Sequence, residues 1–252
     1  MCVASRRMIG EPAAEPVQLL WTGGWDSSFR LMQLLLVERR PVQPIYVIDT
    51  GRPSTLFELR AMEAMRAGLL ARLPDPSLLA PTRFHLAGDH PPAPQDAAIG
   101  ARLRRETSMG TQYVWLSGPA RALGWSGVEL CIERYESGPS DWQRRIFDEP
   151  GELNGSPESA LFRFWSFPVI HLTKEEMREF ARAHGFLDLL VMRWSCFRPL
   201  DGRPCGRCRP CRLTADDGVR FANPVLVGVR DLARKVRKGL REPAAALAVL
   251  RH

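Results

Sequence analysis

Short apolar runs alternate with longer amphipathic stretches along most of the chain. Residues 17–21 (VQLLW) form a compact apolar run of strand length, and residues 27–39 carry Leu31, Leu34 and Leu35 on one helical face. The same pairing recurs in residues 42–48 (VQPIYVI) as a second strand and 56–73 as a helix rich in Leu, Met and Ala. Residues 82–86 predict a third strand, and 87–98, with three prolines, a loop. Residues 113–123 predict a helix interrupted at Gly118-Pro119, residues 128–132 a fourth strand, 136–160 a polar, turn-rich segment, and 167–171 a fifth strand. The stretch LTKEEM (172–177) reads as a helix start. Thr173 is a good N-cap, Glu176 its capping-box partner, and Leu172 and Met177 a hydrophobic staple, with Gly185 closing the helix.

This alternation predicts an α/β fold: a parallel five-stranded sheet with helices on both faces over residues 17–193. Residues 1–16 read as a flexible tail with no signal-peptide h-region. The character changes at Trp194, so residues 194–252 are expected to form a separate cysteine-bearing, basic segment. Apolar runs fall far below the ~18 residues of a membrane span, so no membrane partner is expected. The net charge of +7 favours anionic partners, nucleotides or nucleic acid, but equally fits an Arg-rich composition without function.

Two segments carry chemistry. WTGGWDSS (21–28) lies between the first strand and the first helix, where ligands bind in a parallel sheet. Gly23 and Gly24 allow a sharp turn and close approach of the backbone. The helix start adds unpaired amides, and Thr22, Ser27 and Ser28 add hydroxyls. An anion such as pyrophosphate suits this loop. Asp26 would repel it unless a cation lies between them, which points to Mg²⁺. The competing reading is a glycine turn with a Ser/Asp helix cap. The second segment, WSCFRPLDGRPCGRCRPCR (194–212), spaces Cys196, Cys205, Cys208 and Cys211 as C-x8-C-x2-C-x2-C. With no secretory signal the location reads as cytoplasmic, and clustered cytoplasmic cysteines favour a closed four-thiolate Zn²⁺ site of structural type over two disulfides or free thiols.

The loop 22–27 resembles the S-G-G-x-D-S loop of the PP-loop ATP pyrophosphatases, with Thr22 in place of serine. Three further stretches resemble 7-cyano-7-deazaguanine synthases: Ile48–Arg52, Pro168–Glu176 (PVIHLTKEE), and Trp-Ser-Cys followed by C-G-x-C-x-x-C-R. The resemblance implies ATP, Mg²⁺ and Zn²⁺ as cofactors. It implies an enzyme that adenylates a deazapurine-like carboxylate and converts it with ammonia to an amide or nitrile, acting as a homodimer. It assigns Thr22, Gly23, Gly24, Asp26, Ser27 and Ser28 to the pyrophosphate and metal, Asp49 and Gly51 to the adenosine, and catalytic roles to Asp26 and Lys174. Lys174 could equally be a solvated first-turn lysine. The middle departs from the family at 107–115 (TSMGTQYVW) and 133–144 (ERYESGPSDWQR), which implies a diverged substrate. Alternatives are a tRNA-modifying PP-loop enzyme, which needs a reactive cysteine beside the nucleotide, and a non-catalytic nucleotide- or nucleic-acid-binding module in a defence or modification system; a nucleic acid or protein is the alternative substrate. Cys131 reads as a core residue, Cys2 has no ligand neighbours, and His85 and His171 sit in strand-like runs without an assigned role. Trp25 could stack on a base or pack in the core. A basic amphipathic helix at 230–241 reads as a surface helix packing its apolar stripe on the domain or a dimer partner, or as a nucleic-acid contact.

Overall fold

A computed structural model describes residues 15–213, 219–234 and 236. The tail expected at 1–16 therefore falls almost wholly outside the described residues, as do Cys2 and most of 230–241. The strands are β1 (Val17–Leu20), β2 (Val42–Ile48), β3 (Arg83–Leu86), β4 (Val128–Glu129), β5 (Phe147–Glu149), β6 (Glu152–Leu153) and β7 (Trp165–Ser166). The α-helices are α1 (Trp25–Met32), α2 (Thr55–Arg72), α3 (Pro94–Glu106), α4 (Gln112–Ala122), α5 (Gln143–Ile146), α6 (Lys174–Ala183), α7 (Leu187–Leu190) and α8 (Arg209–Leu213). Five strands form one parallel sheet in the order β3-β2-β1-β4-β7, and β5 and β6 form a separate hairpin.

Alternation along the strands sends side chains to two cores. Leu19, Trp21 and Tyr46 pack under α1, α2, α6 and α7. Leu20, Ile45 and Val47 pack under α3 and α4, together with the aromatic cluster of Trp142, Phe147, Phe162 and Phe167. Helices thus cover both faces, and each core seals one side of β1 and β2. Across the first core Arg30 of α1 reaches Glu129 of β4, with Nε–Oε2 and Nη2–Oε1 both 2.9 Å. Both residues are buried.

Several elements depart from the sequence reading. The loop expected over 87–98 gives way at Pro94 to α3: proline fits the first helical turn, where its missing N–H costs nothing. The first helix begins at Trp25, two residues early, and ends in a π-helical turn, Gln33–Val37, rather than running to Arg39. The fourth strand stops at Glu129 because the chain turns away towards α6, where Arg134 N–H meets the Leu172 carbonyl. The fifth strand is Trp165–Ser166 rather than 167–171. Pro168 cannot donate to a ladder, and residues 167–172 instead form successive turns closed by Ile170 N to Phe167 O and Leu172 N to Val169 O. The proline at 119 does not break α4. Gly118 is what that helix requires, since a Cβ there would come within 1.9 Å of the His90 carbonyl.

The start of α6 follows the sequence reading closely. Thr173 Oγ1 accepts from Glu176 N–H at 3.2 Å, Glu176 Oε2 accepts from Thr173 N–H at 2.7 Å, and Gly185 adopts φ +72° at the other end. Beyond Trp194 the chain folds on its four cysteines, with Ala222 and Val227 as the other buried members of that small cluster. Residues 224–234 are helical. Val227 faces inward, but Val225, Val229, Leu232 and Val236 are exposed, so the described part of the expected apolar stripe does not pack on the domain; Leu240 lies outside the described residues. Among the described residues no helix is long and apolar enough to cross a membrane.

Candidate functional site

In this strand order the chain reverses direction of winding between β1 and β4, and a crevice opens at the carboxyl ends of the strands. The crevice is a cleft of about 170 Å³. Thr22, Gly24, Asp26 and Ser27 form one wall; Arg52 follows β2, Cys131 follows β4, and Gln112 and Trp115 project from α4.

The glycine loop is built largely from its own contacts. The Ser27 hydroxyl accepts from Thr22 N–H at 3.2 Å and lies 3.3 Å from the Thr22 hydroxyl, which folds the loop over the start of α1. The two glycines differ. Gly23 has φ +68°, and a Cβ on it would lie 2.9 Å from Met62 Cγ and 3.1 Å from the Glu58 carbonyl, so the packing of α2 demands it. Gly24 sits in extended geometry, φ −82° and ψ 176°, and a Cβ there would meet only the Thr22 hydroxyl, at 3.4 Å. Fold stability thus depends on Gly23, whereas at Gly24 the open side is the cleft. Gly23→Ala is expected to destabilise by about 2 kcal/mol, and Gly24→Ala by under about 1 kcal/mol. Thermal melts check this, and equal melting losses for the two variants would refute the division.

Ser28 turns inward: it is fully buried and its hydroxyl accepts from Trp21 Nε1 at 3.0 Å. Trp25 is also buried. Arg193 and Arg178 lie 4.3 and 5.0 Å from its ring centre, so guanidinium groups lie over the ring, while the side chain also lines the cleft. Asp49 accepts from Gly51 N–H at 2.9 Å and shapes the turn after β2. Neither residue lines the cleft; Arg52, next along, does. Arg52 is steered by Glu58 at 2.7 Å, a buried carboxylate that also accepts from the Tyr46 and Ser54 hydroxyls.

A charge cluster lies beside the glycine loop. Lys174 Nζ pairs with Glu133 at 2.9–3.0 Å. Asp26 has one carboxylate oxygen cut off from solvent without a hydrogen-bond partner. Burial raises the Asp26 carboxyl, opposed by the charges of Lys174 and Arg193. Burial, then Asp26, pushes Glu133 up to about 7. Burial alone would drive Lys174 down, but Asp26 and Glu133 outweigh it and hold its pKa above the ordinary value. Lys174, its side chain 40% exposed, is thus tied to a largely buried carboxylate as well as reaching solvent. With one oxygen left without a partner, the Asp26 carboxylate would suit a divalent cation as a ligand. Sequence reasoning missed Glu133, which has no motif of its own, and placed Cys131 in the core. Cys131 does pack against the first core, and it also stands half-buried in the cleft wall, its thiol pushed well above the usual range by burial and by Glu129 and Asp26.

The sulfurs of Cys196, Cys205, Cys208 and Cys211 all lie within 4.8 Å of one another. The Cys208–Cys211 and Cys205–Cys211 separations are 3.3 and 4.0 Å. These values exclude disulfides between those sulfurs and bracket the edge of about 3.8 Å that a tetrahedral site with metal–sulfur bonds near 2.3 Å requires. Backbone N–H groups of Arg198 and Cys205 point at Cys196 sulfur, at 3.3 and 3.2 Å, and would stabilise thiolate charge. Such a cluster could hold a metal ion, and its donor set is compatible with zinc. The segment is tied to the glycine loop by Trp194, whose N–H donates to the Gly23 carbonyl at 2.9 Å and whose ring stacks on Phe57 at 4.7 Å. Cys208→Ser, or a strong chelator, is expected to unfold residues 194–213 and loosen the loop through Trp194. Hydrogen exchange at Trp194 and Gly23, with metal content by mass spectrometry, checks this; unchanged exchange in a metal-free protein would refute it. The chain matches no protein-family model and no curated protein.

Proposed function

We propose that the protein is a PP-loop ATP pyrophosphatase of the 7-cyano-7-deazaguanine synthase type. It adenylates a carboxylate and converts it with ammonia to an amide or nitrile. One observation carries this reading: the Thr22–Ser27 loop, Asp26 and the Lys174 ammonium converge at the carboxyl end of β1, at the point where the winding of the sheet reverses. A carboxylate is a poor electrophile, and transfer of AMP to its oxygen supplies a leaving group that ammonia can displace. The chain's part is positioning and charge neutralisation. Loop amides and the Thr22 and Ser27 hydroxyls orient the phosphates, and Lys174 offsets the negative charge that develops on them. Asp26 would hold Mg²⁺, which draws charge from the pyrophosphate when bound. Zn²⁺ on Cys196, Cys205, Cys208 and Cys211 has a structural role, since four thiolates leave no open position.

The test is to incubate the protein with ATP, Mg²⁺ and 7-carboxy-7-deazaguanine and to follow AMP, pyrophosphate and a new nitrile by mass spectrometry. AMP without nitrile moves the reading to another carboxylate, in line with the divergence at 107–115 and 133–144. Nucleotide binding without AMP favours a non-catalytic module. The tRNA-thiolation alternative needs a low-pKa cysteine beside the nucleotide. Cys131 occupies that place among the described residues, but its pKa moves the wrong way for a nucleophile.

A further inference from the structure

We propose that the cysteine knuckle and the helix packed on it form a binding surface for the phosphate backbone of single-stranded nucleic acid, bordering the cleft. The positive charge of the protein is not spread over its surface. Residues 1–193 hold 22 Lys and Arg against 23 Asp and Glu, whereas residues 194–252 hold 13 against 5. The body with the sheet is thus close to neutral, and the whole excess belongs to the appended segment. Fold stability does not require this, because the knuckle is held by its cysteines and by Ala222 and Val227.

The arginines of this segment divide by what they do. Arg230 is spent on structure: it donates to the Arg198 and Pro199 carbonyls at 2.8 and 3.1 Å and pairs with Asp231. Arg207 donates to the Pro224 carbonyl at 2.9 Å and joins the knuckle to the helix. Arg198, Arg203, Arg212, Arg220 and Arg234 are exposed, and none has an acidic partner among the described residues. Five exposed guanidinium groups with no acidic partner among the described residues, on one small unit, suit a repeating anion, since each can engage a phosphate in bidentate fashion.

An aromatic ring stands among them. Phe197 is 51% exposed and directly follows the ligand-type Cys196. It lies 5.9 Å from the guanidinium of Arg52, which lines the cleft. On the other side Arg209 covers the Tyr135 ring at 5.2 Å, close to the Glu133–Lys174 pair. Exposed aromatic and arginine groups together are the combination that binds single strands by stacking and phosphate contact. A strand held on the knuckle would run beside the cleft rather than on a remote face. A lipid surface would use the same cations together with the exposed Val225, Val229, Leu232 and Val236, so the vesicle comparison below separates the two ligands.

The test uses the full chain in its metal-loaded form and needs no ATP. Fluorescence anisotropy is read with labelled 20-nucleotide single-stranded RNA and DNA of mixed sequence, at salt from about 50 to 200 mM. Five phosphate contacts at a slope near 0.7 each predict about a 100-fold loss of affinity over that range. The triple variant Arg203→Gln, Arg220→Gln, Arg234→Gln should lower the slope by about 2 and weaken binding by about tenfold or more at low salt. Phe197→Ala should weaken the single strand about fivefold or more while leaving a duplex of the same length unaffected. Metal content and melting temperature confirm that each variant is folded; should the triple variant lose either, the wild-type slope and the Phe197 comparison decide. The proposal is overturned by binding that ignores salt, by a folded triple variant that binds like wild type, or by a preference for phosphatidylserine vesicles or polyglutamate over the oligonucleotides. Comparing the RNA with the DNA affinity identifies which polymer is the ligand.

Discussion

On the proposed ATP chemistry, Lys174→Met is expected to lower AMP formation by about 10²- to 10³-fold, the range for removing one group that neutralises developing charge. The effect is large because the site holds two carboxylates, Asp26 and Glu133, and Lys174 balances both. Without it, the loop would present net negative charge to a triphosphate. Stability should change in a pH-dependent way. Glu133 rises from 4.5 unfolded to about 7 folded, so between those values the native state binds more protons and stability falls as pH rises. Lys174 limits that loss by attracting the ionised form. Melting temperature in Lys174→Met should therefore drop more steeply between about pH 5 and 8 than in wild type, and converge with it at acid pH where Glu133 is protonated in both states. Parallel melting profiles for the two proteins would show that Lys174 does not sense these carboxylates.

Arg30→Leu should cost about 3–5 kcal/mol, because it strands the buried Glu129 carboxylate without its partner. Arg30 also bonds Gln33 and Glu38, at 3.0 and 2.7 Å, so a single side chain joins α1, its π-helical turn and β4. These elements flank the glycine loop, and nucleotide affinity should fall with stability. The double variant Arg30→Leu, Glu129→Leu removes the charge as well as the pair and should recover most of the loss. Urea denaturation of wild type, the two single variants and the double variant forms the cycle. A double variant as unstable as Arg30→Leu alone would mean that packing volume, not the stranded charge, sets the cost.

The elements that read correctly from sequence depend on near neighbours. The capping box of Thr173 and Glu176 spans three residues, β1 and β2 are short, mainly apolar runs with β2 buried along nearly its whole length, and the cysteine spacing confines four sulfurs by chain length alone. The elements that read poorly depend on distant ones. β7 lies at Trp165–Ser166 because β4 pairs there, although 167–171 is the more strand-like run. α3 begins at a proline that in isolation signals a loop.

The site divides in the same way. Sequence by itself determined that a glycine loop would open at the end of the first strand, that Asp26 and Ser27 would stand in it, and that four cysteines would gather, since each is fixed by a few consecutive residues. Only the tertiary structure decided that Lys174 and Glu133, 41 residues apart, would pair beside Asp26, that Gly23 answers to α2, that Ser28 turns inward, and that Trp25, Arg52 and Cys131 line the cleft. Those relations arise where separate strands end side by side, and a carboxylate or thiol becomes part of a site only through the burial and charges its neighbours impose.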